Sequence, residues 1–126
     1  MNHEPSTPHT IRPSTPVLIL SNTARFALGQ IVATPGALSL LQTTGFSAAA
    51  LIGRHVHGDF GDICLEDAST NEFAVTRRLR LMSVYRLVDP VKLADTPRSK
   101  RCDLPTVWII TEADRSSTTL LLPADY

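Results

Sequence analysis

Two stretches of this chain carry more ionisable and hydroxyl side chains than a connector needs. One is His55-Val56-His57-Gly58-Asp59-Phe60-Gly61-Asp62, followed by Glu66-Asp67 and Asn71-Glu72. The other is Thr111-Glu112-Ala113-Asp114-Arg115-Ser116-Ser117-Thr118-Thr119, set between two apolar runs. Three chemistries suit such residues. His55, His57, Asp59 and Asp62 offer imidazole and carboxylate ligands within eight residues, but their spacing matches no closed zinc site and no calcium loop. No metal and no cofactor is therefore expected. Metal-independent cleavage of a phosphodiester needs a general acid and base with cations for the developing charge. His57, Glu112 and Arg115 are the candidates, with Arg80 and Arg86 as further cations. A binding surface is the third option, with Asp59, Asp62, Asp114, Arg115 and Arg80 as its polar contacts. Nucleophilic catalysis has less support, because no Gly-x-Ser-x-Gly elbow occurs and neither Cys64 nor Cys102 has a histidine nearby.

Each candidate also has a plainer use. Asp59 or Asp62 can cap a helix that follows. A charged His55 at a helix C-terminus is locally stabilising. Asp114 can build an Asx turn in a hairpin loop, with Arg115 solvated and Glu112 paired to an arginine. His55, His57, Glu112 and Arg115 are the residues that neither turn requires.

The elements that must position these groups are partly legible. Phe26 to Ala33 reads as a strand with Gly29 as a bulge or close-approach point. Thr34-Pro35 opens a helix, a Thr cap with Pro in the first turn, and Thr43-Thr44-Gly45 ends it. Ser47 caps a second helix from Ala48 to about His55. The His57–Asp62 turn leads to a third, from about Ile63 to Val75, whose thin apolar face suits the edge of a core. Arg80 to Val88, Val107 to Thr111 and Thr118 to Leu122 read as strands, the last two joined by a hairpin. Asp89 to Pro105, with three prolines and several charges, reads as a long loop, and loops of that length are functional or mobile. The layout is α+β: N-terminal helices on a small antiparallel sheet with a C-terminal three-stranded meander.

Length and composition bound the rest. The 126 residues suit one domain. Residues 1–16 hold four prolines, three threonines and two serines, and are expected to be a disordered lead to a single domain over 17–126. Net charge is zero, so no global field favours nucleic acid or a membrane. The charges are uneven: Asp59, Asp62, Glu66, Asp67 and Glu72 form an acidic stretch, and Arg77, Arg78, Arg80 and Arg86 follow it. Cys64 is expected to be a buried thiol. No run approaches a membrane span and no signal-peptide pattern begins the chain, so the expected location is cytoplasmic. The expected partner is a macromolecule, protein rather than nucleic acid, bound by a monomer or by a homodimer formed through a sheet edge.

Several segments resemble a widespread family. They are Gly-Gln-Ile-Val-Ala-Thr-Pro-Gly-Ala at 29–37, His57 to Asp62 with Glu66-Asp67 and Asn71, Arg80 to Tyr85, and Trp108 to Thr119. Its members are small uncharacterised bacterial proteins of plasmids, integrated elements and phages, some labelled plasmid-related proteins and others restriction endonuclease subunits. Phe60 stands where that family usually has Trp, and the 89–105 connection is longer than usual. The resemblance implies a mobile-element accessory protein, with a host-defence or plasmid-maintenance component as the kind of macromolecule it would bind. The alternative is a small hydrolase, a nuclease using the His, Glu and Arg groups above.

Overall fold

Alternation of Leu81, Ser83 and Tyr85 with Met82, Val84 and Arg86 is a strand pattern of period two. The computed structural model of the chain, which describes residues 24–126 and the backbone of His9–Thr10, forms that strand and four others. In chain order the strands are β1 (His9–Thr10), β2 (Gln30–Ala33), β3 (Leu81–Arg86), β4 (Thr106–Thr111) and β5 (Ser117–Leu121). The helices are α1 (Pro35–Thr44), α2 (Ala48–Val56), α3 (Leu65–Arg77) and α4 (Pro90–Asp95). The fold is α+β. β3, β4 and β5 make the antiparallel meander. The sheet as a whole is mixed rather than antiparallel: its order is β1-β2-β5-β4-β3, and β2 runs parallel to β5. The Pro-rich lead and the apolar run Val17–Leu20 lie outside the described residues, apart from the short pairing of His9–Thr10 with β2.

Local chemistry explains the helix boundaries. Thr34 Oγ1 accepts from the Ala37 N–H (3.2 Å), and Ser47 Oγ accepts from the Ala50 N–H (3.1 Å). Gly45 closes α1 with φ 78°. α3 begins later than its sequence suggests: Cys64, not Asp59 or Asp62, occupies the cap, with Sγ accepting from Asp67 N–H at 3.4 Å. That position leaves the Cys64 thiol exposed rather than buried. Residues 89–105 are not one loop. Asp89 Oδ1 accepts from Lys92 N–H (2.9 Å) and starts α4 with Pro90 in its first turn, and Arg98–Asp103 form a 3-10 helix. Among the described residues, no single helix is long and apolar enough to cross a membrane.

α1 and α2 cover one sheet face. Leu41, Leu51, Ile52 and Val56 meet Ile31, Tyr85, Val107, Ile109 and Leu120 in the main core. A polar chain runs through this apolar layer. His55, Ser83, Thr111 and Thr118 are each 0 % exposed. Thr118 Oγ1 donates to the Leu28 carbonyl (2.7 Å), so it must accept from Thr111 Oγ1 (2.7 Å). Thr111 then accepts from His55 Nε2–H (2.9 Å), and the remaining Nδ1 accepts from Ser83 Oγ–H (2.5 Å). In the neutral ring these contacts fix the tautomer, with the proton on Nε2. The ring sits edge-on to Phe26 and Phe60, with centroids 5.1 and 6.0 Å away. Burial, with a smaller push from Arg115, lowers its pKa to about 3, so His55 is not the charged helix-end group that its place in the sequence suggests.

This histidine binds a proton more readily unfolded, near the ordinary 6.5, than folded, near 3. Its contribution is complete above the unfolded value and is lost as pH falls toward the folded one, at about 1.4 kcal/mol per pH unit. Urea unfolding should show stability declining from pH 6.5 to 5.5, above the range where most carboxylates titrate. His55→Gln should flatten that slope; a flat wild-type profile over the window would refute the assignment.

Candidate functional site

Arg115, Glu112 and His57 do not share a pocket. Arg115 takes a left-handed backbone (φ 60°) at the hairpin tip and folds its side chain inward, to 8 % exposure. Its guanidinium donates to the carbonyls of Leu79 (2.7 Å), Ala74 (2.9 Å), Glu112 (3.1 Å) and Ala113 (3.2 Å). It therefore caps the C-terminal end of α3 and ties it to the hairpin. Burial lowers its pKa, and the charge of Arg78 adds to this. Asp114 accepts from the Ser116 N–H (2.9 Å), completing the Asx turn. Gly29, at φ 65°, lies so close to the Arg115 and Ser116 backbone that a Cβ there would collide with it, which makes it a close-approach point.

Glu112 pairs with Arg80 (3.3 Å) on the surface, and Arg80 also donates to the Tyr126 hydroxyl (2.8 Å). His57 is exposed at the end of α2, where its Nδ1–H donates to the Gly53 carbonyl (2.6 Å). Asp59 accepts twice from Arg54 (2.7 and 3.2 Å), and this bond leads the causes that lower its pKa. No group of three or more metal-ligating side chains converges among the described residues.

Asp62 is different. Its side chain is 6 % exposed and accepts from Arg86 (2.9 Å) and Arg101 (2.8 Å), with Arg98 at 4.0 Å. Burial alone would raise its pKa; the bonds and charges of the two closer arginines together outweigh that and hold it down. This carboxylate fastens the 98–103 turn to β3. It also borders a cleft of about 560 Å³ walled by Phe46, Val88, Pro90 and Leu93, with Arg54 and Arg86 as its cations. That volume is in the range of ligand sites. Arg54 lies over the Tyr85 ring at 4.6 Å, and the Tyr85 hydroxyl donates to the Asp59 carbonyl (2.6 Å).

The cleft lies beside β3, an outer strand of the sheet. Segment 60–62 runs along that edge: Val84 N–H donates to Phe60 O (3.0 Å) and Asp62 N–H to Val84 O (2.7 Å). Gly61 permits this, because a Cβ there would strike the Val84 carbonyl and the Tyr85 ring. Further along, the Asn71 amide donates to Met82 O (2.8 Å) and accepts from Met82 N–H (3.2 Å). Sequence reasoning finds Asp62, names Arg86 only as a further cation, and misses Arg54 and Asn71 as partners at this edge. The available signals are Arg54 five residues before Asp59, and Arg86 as the one charged residue of β3.

Comparison with family models, curated proteins and solved structures finds no match to this chain.

Two stability tests follow. Arg115→Met strips the cap from α3 and should cost about 2–4 kcal/mol in urea unfolding, while Glu112→Gln, on an exposed pair, should stay within about 1 kcal/mol. Equal effects would contradict a capping role for Arg115 and a surface role for Glu112. Asp62→Asn should destabilise by about 3 kcal/mol and raise amide exchange in residues 98–103 and at Arg86; unchanged exchange there would show that Asp62 does not anchor the turn.

Proposed function

We propose that this chain is a non-catalytic binding protein that engages a macromolecular partner, a protein, through the cleft beside β3. The observation that carries this is the distribution of the functional groups. Arg115 is saturated by carbonyls, Glu112 is paired with Arg80, and His57 is turned to its own helix. A phosphoryl-transfer site needs its acid, base and cation around one reacting atom. The cleft instead combines an apolar wall with Arg54 and Arg86, the mixture that gives an interface both area and orientation. The zero net charge argues for protein over nucleic acid.

The resemblance to proteins of plasmids and phages supplies the setting: an accessory protein of a mobile element, cytoplasmic, working as a monomer or homodimer on a component of host defence or plasmid maintenance. The small nuclease is the competing reading. Affinity capture from host extract with wild type and a Val88→Lys, Leu93→Lys variant tests the choice, with folding of the variant checked by circular dichroism. A specific protein should be retained by wild type and reduced at least tenfold by the variant. Capture indifferent to the variant would refute the cleft, and RNA cleavage by the purified chain with no protein captured would establish the nuclease instead.

A further inference from the structure

Met82, Val84 and Arg86 turn their backbone N–H and C=O away from β4, because Leu81, Ser83 and Tyr85 alternate with them toward it. The first outward residue is satisfied by the Asn71 amide and the second by Phe60 and Asp62. The third, Arg86, has no backbone hydrogen bond among the described residues, although the next residue is held again, by Leu87 N–H to Pro105 O at 2.7 Å. The uncovered position opens on the cleft, which Arg86 lines together with Val88. An open edge of this kind is a template for another strand.

We propose that the cleft receives an extended acidic peptide segment of the partner, which pairs with the Arg86 backbone and continues the rail laid by residues 60–62. The inference rests on the binding reading above and names its ligand chemistry. Charge selects the ligand: Asp62 faces Arg86, Arg101 and Arg98, and with Asp89 as the second carboxylate lining the cleft one positive charge remains in excess at its border. Arg98, at 4.0 Å and 68 % exposed, is the least committed of the three. Strand geometry sets the pattern: side chains two apart share a face. Acidic residues on one face meet the guanidinium groups, and apolar residues on the other meet Phe46, Val88 and Leu93.

The test uses the full chain, labelled with nitrogen-15, and an acetylated, amidated hexapeptide of alternating glutamate and leucine. Binding should shift the Arg86 amide resonance and slow its hydrogen exchange at least tenfold. Lysine in place of glutamate should weaken binding at least tenfold, as should N-methylation of one of the two alternate sets of peptide amides. Affinity should also fall as salt rises. Three outcomes overturn the proposal: no binding, binding that leaves the Arg86 amide unchanged, or binding indifferent to both N-methylated analogues. An oligothymidylate that binds more tightly than the peptide and displaces it would also overturn it, in favour of nucleic acid. If the peptide fails while the Val88→Lys, Leu93→Lys variant still loses its captured protein, the peptide inference falls and the binding reading stands.

Discussion

The buried chain from Ser83 through His55, Thr111 and Thr118 to the Leu28 carbonyl is the constraint on which the rest of the structure depends. It joins α2 to β3, β4, β5 and the segment leading into β2. Every donor and acceptor in it has one role, so no member can be removed without leaving a buried partner unsatisfied. A purely apolar layer would allow α2 to slide on the sheet. The imidazole, bonded at both nitrogens, fixes how far α2 extends and where it ends. The chain must then turn at His57–Asp62, and Phe60 packs edge-on against the same ring.

From that turn the edge of the sheet is organised. Phe60–Asp62 bond to Val84 because α2 delivers them there, and Gly61 makes the approach possible. α3 then buries little besides Asn71 and Ala74. Its work is done by one amide and one end: Asn71 imitates a strand for Met82, and the carbonyl of Ala74 receives Arg115. A helix with so thin an apolar face needs such fixtures, since its propensity alone does not hold it in place. The exposed Arg25–Glu72 pair (2.7 Å) adds on the order of 0–1 kcal/mol and does not decide the packing.

What the sequence discloses divides along the range of the interactions. The caps at Thr34 and Ser47, the Asx turn at Asp114 and the alternation in β3 are local, and each is legible from a few adjacent residues. Asp89-Pro90 carries the same kind of signal as Thr34-Pro35, yet the prolines and charges around it favour a loop. The parallel pairing of β2 with β5 joins residues far apart in the chain, such as Ile31 and Thr118, and no local pattern announces it. His55 and Arg115 stand out in the sequence as residues that neither turn needs. Their purpose lies in partners distant in sequence: Ser83 and Thr111 for one, the carbonyls of Ala74 and Leu79 for the other.

That difference bears on how an arginine is read for function. A guanidinium stabilises developing charge only if its donors are free to meet it. Arg115 directs its terminal nitrogens at carbonyl oxygens, whose partial charges it balances in place of a carboxylate, and turning toward a ligand would uncap α3. Arg86 is anchored through Nε to Asp62 and through Nη1 to Thr106 (2.9 Å), and no bond from its Nη2 occurs among the described residues. Anchoring of this kind costs little on binding, because the side chain is already ordered. Arg98 keeps its conformational freedom and would give it up on contact. In the proposed complex the two residues would divide the work of holding an anion: Arg86 would fix where it sits, and Arg98 would add charge without strict geometry.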